Sequence, residues 1–522
     1  MRKSRMTALI LVFVLVLALA LTACGQKEAD QPGQGGSEAD KVEQQGNDAG
    51  AKQIEQTRPI KILMAQAFEQ PTMPYKEMPI PKEVMKRSGI EFEIEFVPVG
   101  DYDTKLNLYM AAGNPPDIFK KENFEFWKAQ GAIIPLSDLI DQYGPNIKKM
   151  VLPEAWKYVK SEGEIYAIPK GQRPEPGNGG EVNGVLARWD WVEKLGFAEK
   201  AMSEDFDLDQ YHDLIRAMTF DDPDGDGEDN TYGLGDRIDW NFGHIMGAFG
   251  LPLHRHGSYG WVKRGDQVVA THMTEEYKQA LKLLSEWYAE GVIDPEFIIT
   301  KGKDHKEKYS KGIIGTSGHH MWYVAKKNAV NQSLVSSFPD AELKMIMPPK
   351  GPEGHRGLER RKPGGGGSAL ISSKAPDPEV TMMLLDYVMS EEGANLVQFG
   401  FEGEDYTYDQ ENNKVNLLYD GQIQSAKGTA RIVSVTDRRW VESEILEAIS
   451  MTEKYTILNE FYGMVPAMGE YAELLKLVEE TTIKVIVGQL PLEAVDDMQQ
   501  RWLKNGGDKV TEQVNQEWKK LN

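Results

Sequence analysis

The chain has 522 residues and a formal net charge of −22 at pH 7, with 40% hydrophobic and 27% charged residues. This length is sufficient for two domains with buried cores. The acidic balance argues against a nucleic-acid partner, because phosphate backbones bind to basic protein surfaces.

The first residues are typical of an export signal. Three basic side chains precede an uncharged apolar run of 14 residues, Ala8 to Leu21, which at about 21 Å is too short to cross a bilayer core of about 30 Å comfortably. Leu21-Thr22-Ala23-Cys24 resembles the lipobox of bacterial lipoprotein signal peptides. We therefore expect loss of residues 1–23 and acylation of Cys24, for example with palmitate, which would anchor the chain to the outer face of the cell membrane. The alternative is a coincidental cysteine behind an ordinary signal.

The segment from Cys24 to Thr57 is predicted to be a disordered tether. It has no aromatic residue and is rich in Gln, Gly, Glu and Asp, so it cannot bury enough apolar surface to offset its ordering entropy. Cleavage after residue 23 would remove three basic and no acidic residues and take the net charge from −22 to −25. Because Cys24 is the only cysteine, disulfides within the chain and zinc–thiolate sites are excluded.

Beyond the tether, hydrophobic periodicity predicts alternating strands and helices. The elements expected in the first part are a strand in 59–68, a helix around 82–87, a strand in 90–99, a helix in 102–113 and a turn entering a strand in 114–120. This order favours an α/β domain with a mainly parallel sheet.

The later elements continue the mixed pattern and end in helices. We expect an alternating strand followed by a loop in 162–172, a strand and helix in 183–196, a helix in 206–220, and a helix in 273–294 with Thr274 as N-cap and Gly291 at its C-terminal end. Further on, we expect a buried strand leading into a loop and helix in 312–324, a Pro/Gly-rich connector in 348–368, one or two helices in 377–400, and mainly helices from Val441 onward.

Five segments in this order resemble the family 1 extracellular solute-binding proteins, bacterial lipoproteins that serve ABC importers. They are GNPPDI (113–118), EGEIYAIP (162–169), ARWDWVEKLG (187–196), DDPDGDGEDNTYGL (221–234) and FGFEGEDYTYD (399–409). The resemblance implies a two-lobed α/β fold of the periplasmic-binding-protein type, with hinge crossovers near 170–182, 350–366 and 402–410. Lobe 1 would comprise 58–170 with 367–402, and lobe 2 would comprise 183–349 with 410–522.

The same resemblance implies a function. The chain would be a monomeric binding protein, not an enzyme, that captures a carbohydrate between its lobes and delivers it to ABC permease subunits. The size of the chain is similar to that of the oligosaccharide-binding members of the family.

The segment DDPDGDGEDNTYG (221–233) has the spacing of an EF-hand-type calcium loop. Counted from Asp222, the oxygen-bearing positions are occupied by Asp222, Asp224, Asp226, Glu228 and Asn230, where Glu228 would offer its backbone carbonyl. Position 12 is Gly233 and not the usual bidentate glutamate, so Asp229, Thr231 or water would have to complete the ligand set. A metal-free acidic turn is the alternative to a structural Ca²⁺ site.

Candidate ligand contacts are polar and aromatic residues in loops at strand ends and near the crossovers, because sugars offer apolar faces to rings and hydroxyls to polar groups. These residues are Gln66, Asn114, Asp117, Arg173, Asn178, Trp240, Asn241, His319, His320 and Trp322. Trp189, Trp191 and Trp287 are predicted to pack in the core. His319 and His320 are not expected to bind zinc, because adjacent side chains diverge on a regular element.

Two other function classes stay open on sequence alone. The many carboxylates would allow a polysaccharide hydrolase or lyase, although GTSGH lacks the last glycine of a nucleophile elbow and neither a His-Glu-x-x-His motif nor a P-loop is present. PGGGGSA (363–369) matches a dinucleotide fingerprint only in spacing, because it follows a connector and not a strand. A membrane-tethered scaffold or adhesin without a small ligand is the third class.

Overall fold

The computed structural model of the chain describes residues 55–66, 74–173, 183–237, 242–252, 260–360, 362–365, 368–419 and 423–521. The predicted export signal, Cys24 and most of the predicted tether lie outside these residues. Within them, no helix combines the length and the apolarity that a membrane crossing requires.

Strands and helices are distributed along the whole described chain. The strands are β1 (Ile60–Gln66), β2 (Phe92–Pro98), β3 (Ile118–Lys121), β4 (Lys160–Ser161), β5 (Glu164–Ile165), β6 (Gly171–Gln172), β7 (Asn183–Arg188), β8 (Tyr232–Leu234), β9 (Trp261–Arg264), β10 (Gln267–Ala270), β11 (Ile314–His320), β12 (Leu343–Ile346), β13 (Leu358–Glu359), β14 (Ser368–Ile371), β15 (Tyr406–Asp409), β16 (Lys414–Leu417), β17 (Val435–Thr436) and β18 (Thr456–Ile457). The helices are α1 (Pro79–Ser88), α2 (Tyr102–Ala111), α3 (Phe124–Ala129), α4 (Ser137–Tyr143), α5 (Pro145–Met150), α6 (Trp189–Lys194), α7 (Ala198–Ala201), α8 (Leu208–Phe220), α9 (Gly243–Ala248), α10 (Glu275–Glu290), α11 (Gly302–Ser310), α12 (Ala329–Ser337), α13 (Pro378–Met389), α14 (Glu391–Phe399), α15 (Ile423–Lys427), α16 (Ser443–Glu453), α17 (Pro466–Glu470), α18 (Glu473–Ile486), α19 (Ala494–Trp502) and α20 (Asp508–Leu521).

The first sheet has the strand order β14-β3-β1-β2. Strands β1, β2 and β3 run parallel, and β14 joins the edge of β3 in the antiparallel direction. Successive residues of β1 face opposite sides, so Leu63 enters one core cluster while Ile62 and Met64 enter the other. Helices α2 and α3 cover the first side, and α1, α4, α5, α13 and α14 cover the second. The predicted α/β architecture with a mainly parallel sheet is confirmed.

The second sheet has the order β12-β7-β11-β8 and is mixed. Strand β7 is antiparallel to both of its neighbours, whereas β8 and β11 are parallel. On β7, Val185 and Ala187 face the larger core cluster, and Leu186 faces a smaller one built with α12 and α16. The predicted core tryptophans are confirmed: Trp189, Trp191 and Trp287 are 7%, 1% and 3% exposed. Each fully buried large side chain stabilises the fold by about 1.5–3 kcal/mol.

The chain passes between the two sheet regions next to two short parallel ladders. Strand β6 pairs with β17, and β13 pairs with β18. Residues of the segment 423–435 pack in the core of the first sheet, whereas Val441 and Ile445 pack in that of the second. The last change of core therefore lies between Val435 and Val441, and not at the predicted 402–410.

The ends of helix α10 and the helices of 377–400 were predicted correctly, because these features depend on a few neighbouring residues. Helix α10 begins at the predicted N-cap, where the Thr274 hydroxyl accepts a hydrogen bond from the Tyr277 N–H at 3.3 Å, and ends at Gly291, whose φ of 92° is left-handed. The two helices allowed for 377–400 are α13 and α14.

Two local predictions need correction. Of the strand and following loop expected in 162–172, the strand is only the two-residue β5, and the short β6 lies in the expected loop. Pro169 cannot donate to a ladder, and Ile168 makes an isolated bridge to Ala369. The tether does not extend to Thr57, because the Thr57 N–H donates to Asp377 at 2.8 Å and the Glu91 N–H donates to Gln56 at 2.7 Å.

Candidate functional site

The first candidate region is the carboxyl edge of the first sheet. Gln66 ends β1, so it lies at the edge where α/β proteins bind ligands. Asn114 and Asp117 precede β3, and β3 is parallel to β1, so these two residues lie at the opposite, amino edge. The structure therefore does not bring Asn114 and Asp117 together with Gln66.

Asp117 also has a structural role that occupies its carboxylate. It is 2% exposed and forms a bidentate pair with Arg58, with N–O distances of 2.6 and 2.9 Å. The Lys61 backbone N–H donates to the same carboxylate at 2.8 Å. These bonds fix the start of β1 against the start of β3.

Arg173 lies at the first crossing and is buried inside a cluster of polar groups. Its Nε donates to Asp437 at 2.5 Å and its Nη2 donates to Asn395 at 2.6 Å. Arg439 donates to the same two residues, at 2.6 Å to Asp437 and 2.7 Å to Asn395. This arrangement joins the chain next to β6 to the chain next to β17 and α14. It does not support the ligand contact predicted for Arg173.

The second candidate region is the end of β11, where His319 and His320 lie beside the start of β7. The His319 ring is buried, stacks on His305 with a centroid distance of 5.1 Å and packs against Tyr323 at 3.9 Å. Burial lowers the pKa of His305 to about 4 and holds the pKa of His319 well below its usual value. Both rings are therefore neutral at pH 7.

Asn183 is the neighbour of His320 across this pair of strands. It is 1% exposed, and neither its amide nitrogen nor its side-chain oxygen has a hydrogen-bond partner among the described residues. An unsatisfied buried amide costs about 1–3 kcal/mol, which makes Asn183 a candidate contact that the sequence did not reveal.

A pair of tryptophans follows this strand. Trp322 is half-buried and stacks on Trp440, with ring planes 2° apart and centroids 5.8 Å apart. Trp440 is 37% exposed, and its Nε1 donates to the carbonyl of Asp437, so the pair lies beside the Arg173 cluster. The remaining predicted contacts, Asn178, Trp240 and Asn241, lie outside the described residues.

The acidic loop brings together the first three predicted calcium ligands. Oxygens of Asp222, Asp224 and Asp226 lie within 4.8 Å of one another. The loop turns through Gly225 and Gly227, whose φ angles are 76° and 81°, and their N–H groups donate to Asp222.

The electrostatics of this loop favour a cation. Oδ1 of Asp224 is buried without a hydrogen-bond partner, and burial together with the charge of Asp226 raises the pKa of the Asp224 carboxyl. A hard divalent ion takes carboxylate oxygens as ligands and would reverse this repulsion. These residues therefore fit such an ion.

The other predicted ligands are placed less directly. Asn230 donates to Asp226 at 2.8 Å, and the Glu228 N–H donates to Asp226 at 2.7 Å. The Thr231 hydroxyl donates to the carbonyl of Met218 in α8, so Thr231 already belongs to the packed body. The absence of a glutamate at Gly233 also has a steric cause, because a Cβ there would lie 1.9 Å from the carbonyl oxygen of Ile215.

Two α/β sheets with separate cores define a two-lobed binding-protein fold. Residues 69–395 match the family described as bacterial extracellular solute-binding protein, and the chain belongs to this family.

Curated relatives cover the chain to different extents. The chain is 26% identical over 537 residues to the polygalacturonan/rhamnogalacturonan-binding protein YtcQ of Bacillus subtilis, and the alignment covers 98% of each protein. It is 27% identical to the fructooligosaccharide ABC transporter substrate-binding protein FusA of Streptococcus pneumoniae, over 48% of this chain and 49% of that protein.

Solved structures show the same fold. The alginate-binding protein AlgQ2, solved without calcium ion, aligns with a TM-score of 0.67 and 21% identity, covering 89% of this chain and 99% of that one. FusA of S. pneumoniae in complex with kestose aligns with a TM-score of 0.66 and 19% identity over the same shares.

Proposed function

We propose that this chain is the substrate-binding protein of an ABC importer and captures an oligosaccharide between two lobes. The observation that carries the proposal is the pair of independent sheet cores linked beside the β6–β17 and β13–β18 ladders. A ligand that touches both lobes binds the closed arrangement better than the open one and shifts the population toward closure.

We further propose that lobe 1 comprises residues 58–170 and 367–435 and lobe 2 comprises 183–349 and 441–522. Two contacts lie beside the connection, one made by the connector 350–366 and one made between the lobes. Arg360 pairs with Glu154 at 2.8 Å, and the Tyr158 ring meets Tyr462 edge to face. The exposed Arg360–Glu154 ion pair contributes about 1 kcal/mol or less.

The ligand contacts that we propose lie on both sides of this connection. Lobe 1 would offer Gln66, and lobe 2 would offer Asn183, His320 and Trp322, together with the predicted Trp240, Asn241 and His319. The connecting segments would add Trp440, which stacks on Trp322, and the predicted Asn178. The partly exposed rings of Trp322 and Trp440 suit the apolar face of a sugar ring, and the amides suit its hydroxyls.

A fluorescence titration tests the proposal. We expect an oligosaccharide from a screened panel to change the tryptophan emission saturably, without release of reducing ends or unsaturated products. Trp440→Phe is expected to remove a large part of the signal and weaken binding about 10-fold, whereas Trp518→Phe, in the second core, should leave the affinity unchanged. Product release would instead support an enzyme, and no response to any saccharide would support a scaffold.

The delivery step requires a partner and an anchor. We propose that Cys24 carries acyl chains that hold the protein on the outer face of the membrane, and that the monomer delivers its ligand to permease subunits. The tether would keep the folded body near those subunits at high effective concentration. Retention of the Cys24→Ala protein on cells would contradict the anchor.

We also propose a structural Ca²⁺ site at Asp222, Asp224 and Asp226. With calcium 100-fold above its dissociation constant, the ion is expected to add about 2.7 kcal/mol to the free energy of unfolding. EDTA should then lower the Tm by several degrees in the native chain but not in Asp224→Asn. Asp266→Asn, at an exposed carboxylate outside the loop, should keep the response. An equal Tm with calcium and with EDTA would contradict the site.

A further inference from the structure

Two basic side chains near the carboxyl edge of the first sheet have no acidic partner in the part of the chain that the structure describes. Lys120 is the penultimate residue of β3, and its Nζ donates to the backbone carbonyl of Arg431 at 3.3 Å. Both side chains are half-buried. No carboxylate among the described residues pairs with either of them, although the chain carries 81 acidic and 59 basic residues.

The electrostatics of this pair are unfavourable without an anion. Burial lowers the pKa of Lys120 to about 8, with contributions from the charges of Arg431 and Lys170. Burial also lowers the pKa of Arg431, against the influence of Tyr419. By contrast, the buried Arg173 and Arg439 share the carboxylate of Asp437. The charges of Lys120 and Arg431 therefore lose part of their contact with water, and no carboxylate among the described residues offsets this desolvation cost.

The position of the pair indicates what approaches it. Lys120 lies at the edge where open α/β sheets bind ligands. Arg431 lies three residues before Ser434, whose carbonyl accepts a hydrogen bond from the Gly171 N–H at the proposed hinge. The half-buried Tyr419 lies near Arg431 and provides an aromatic ring beside the cations. An anionic group carried on a sugar ring would satisfy the charges and could contact this ring.

We propose that Lys120 and Arg431 form a subsite for the carboxylate of an acidic saccharide, a uronide, in the cleft of the protein. This inference rests on the proposed function and narrows its substrate class. The guanidinium of Arg431 can donate two parallel hydrogen bonds to one carboxylate, and Lys120 adds a point charge.

Calorimetric titration with trigalacturonate, its methyl ester and inorganic phosphate tests the subsite. The native chain is expected to bind trigalacturonate at least 10-fold more tightly than the ester, with no competition from phosphate. Arg431→Gln and Lys120→Gln should each weaken trigalacturonate binding about 10- to 100-fold and leave the affinity for the ester unchanged. The matched control is Lys121→Gln, because Lys121 is the next residue and already pairs with Asp103 at 2.5 Å.

The outcomes separate this inference from the proposed function. The uronide subsite is overturned if the native chain prefers neutral oligosaccharides, or if the variants lose affinity equally for trigalacturonate and its ester. Either result leaves the proposed saccharide-binding function intact. Competition by millimolar phosphate would show that Lys120 and Arg431 bind a free anion, and it also overturns the uronide subsite. Binding of no saccharide overturns both. Because each substitution removes an unpaired charge, the variants should melt no lower than the native chain, which keeps the loss of affinity interpretable.

Discussion

Asp437→Ala is expected to lower the free energy of unfolding by about 3–5 kcal/mol. The substitution leaves the buried guanidinium groups of Arg173 and Arg439 without the carboxylate that both of them contact. Arg173 is 1% exposed, and its other acidic neighbour, Glu391, lies 3.8 Å away at the surface. Water therefore cannot replace the lost interactions. Urea unfolding at neutral pH, followed by circular dichroism, gives the measurement.

An exposed ion pair provides the matched control. Asp496 is paired with Lys278 at 2.7 Å but is 56% exposed, so Asp496→Ala should cost less than about 1 kcal/mol. A loss for Asp437→Ala as small as that of the control would show that the Arg173 cluster is solvated. The comparison thus isolates the effect of burial from the effect of pairing.

Gly233→Ala is expected to cost about 3 kcal/mol or more, which is large for the addition of one methyl group. A Cβ at this position would lie 1.9 Å from the carbonyl oxygen and 2.5 Å from the Cα of Ile215, both backbone atoms of α8. Moving β8 away would strain the bonds that Gly233 makes to Thr219, at 2.9 Å, and to Thr316, at 2.6 Å. Thermal and urea unfolding measure the loss.

The same position explains why a full EF-hand ligand set is absent. Gly233→Glu would restore the side chain usual at the twelfth position of the loop, but it requires the same Cβ. We expect it to destabilise the protein at least as much as alanine does, without tighter calcium binding. Gly469→Ala is the control, because a Cβ there meets no atom within 4 Å. A stable Gly233→Glu protein with higher calcium affinity would refute this explanation.

Features determined by neighbouring residues were predictable from the sequence. The caps of α10 at Thr274 and Gly291 and the convergence of Asp222, Asp224 and Asp226 depend on a few consecutive residues. The alternation of strands and helices between residues 59 and 120 was likewise predicted from side-chain periodicity.

Features determined by distant residues were not predictable. Arg173 resembles a free cation until it meets Asp437, which is 264 residues further along the chain. Asn114 and Asp117 resemble ligand loops until the direction of β3 places them at the amino edge. In the sequence, Lys120 does not differ from other lysines at strand ends. Its contact with Arg431, 311 residues further along the chain, is visible only in the structure.

The edge strand β14 pairs with β3 from almost 250 residues further along the chain, and the first core also includes residues up to Val435. During synthesis, the β3 edge of the N-terminal sheet stays unpaired until the whole second sheet has been synthesised. The lobe whose sequence comes first is consequently completed only after the second sheet has been synthesised. A nascent chain that stops before Ser368 is left with an open β-edge, which is the kind of surface that chaperones protect and aggregates recruit.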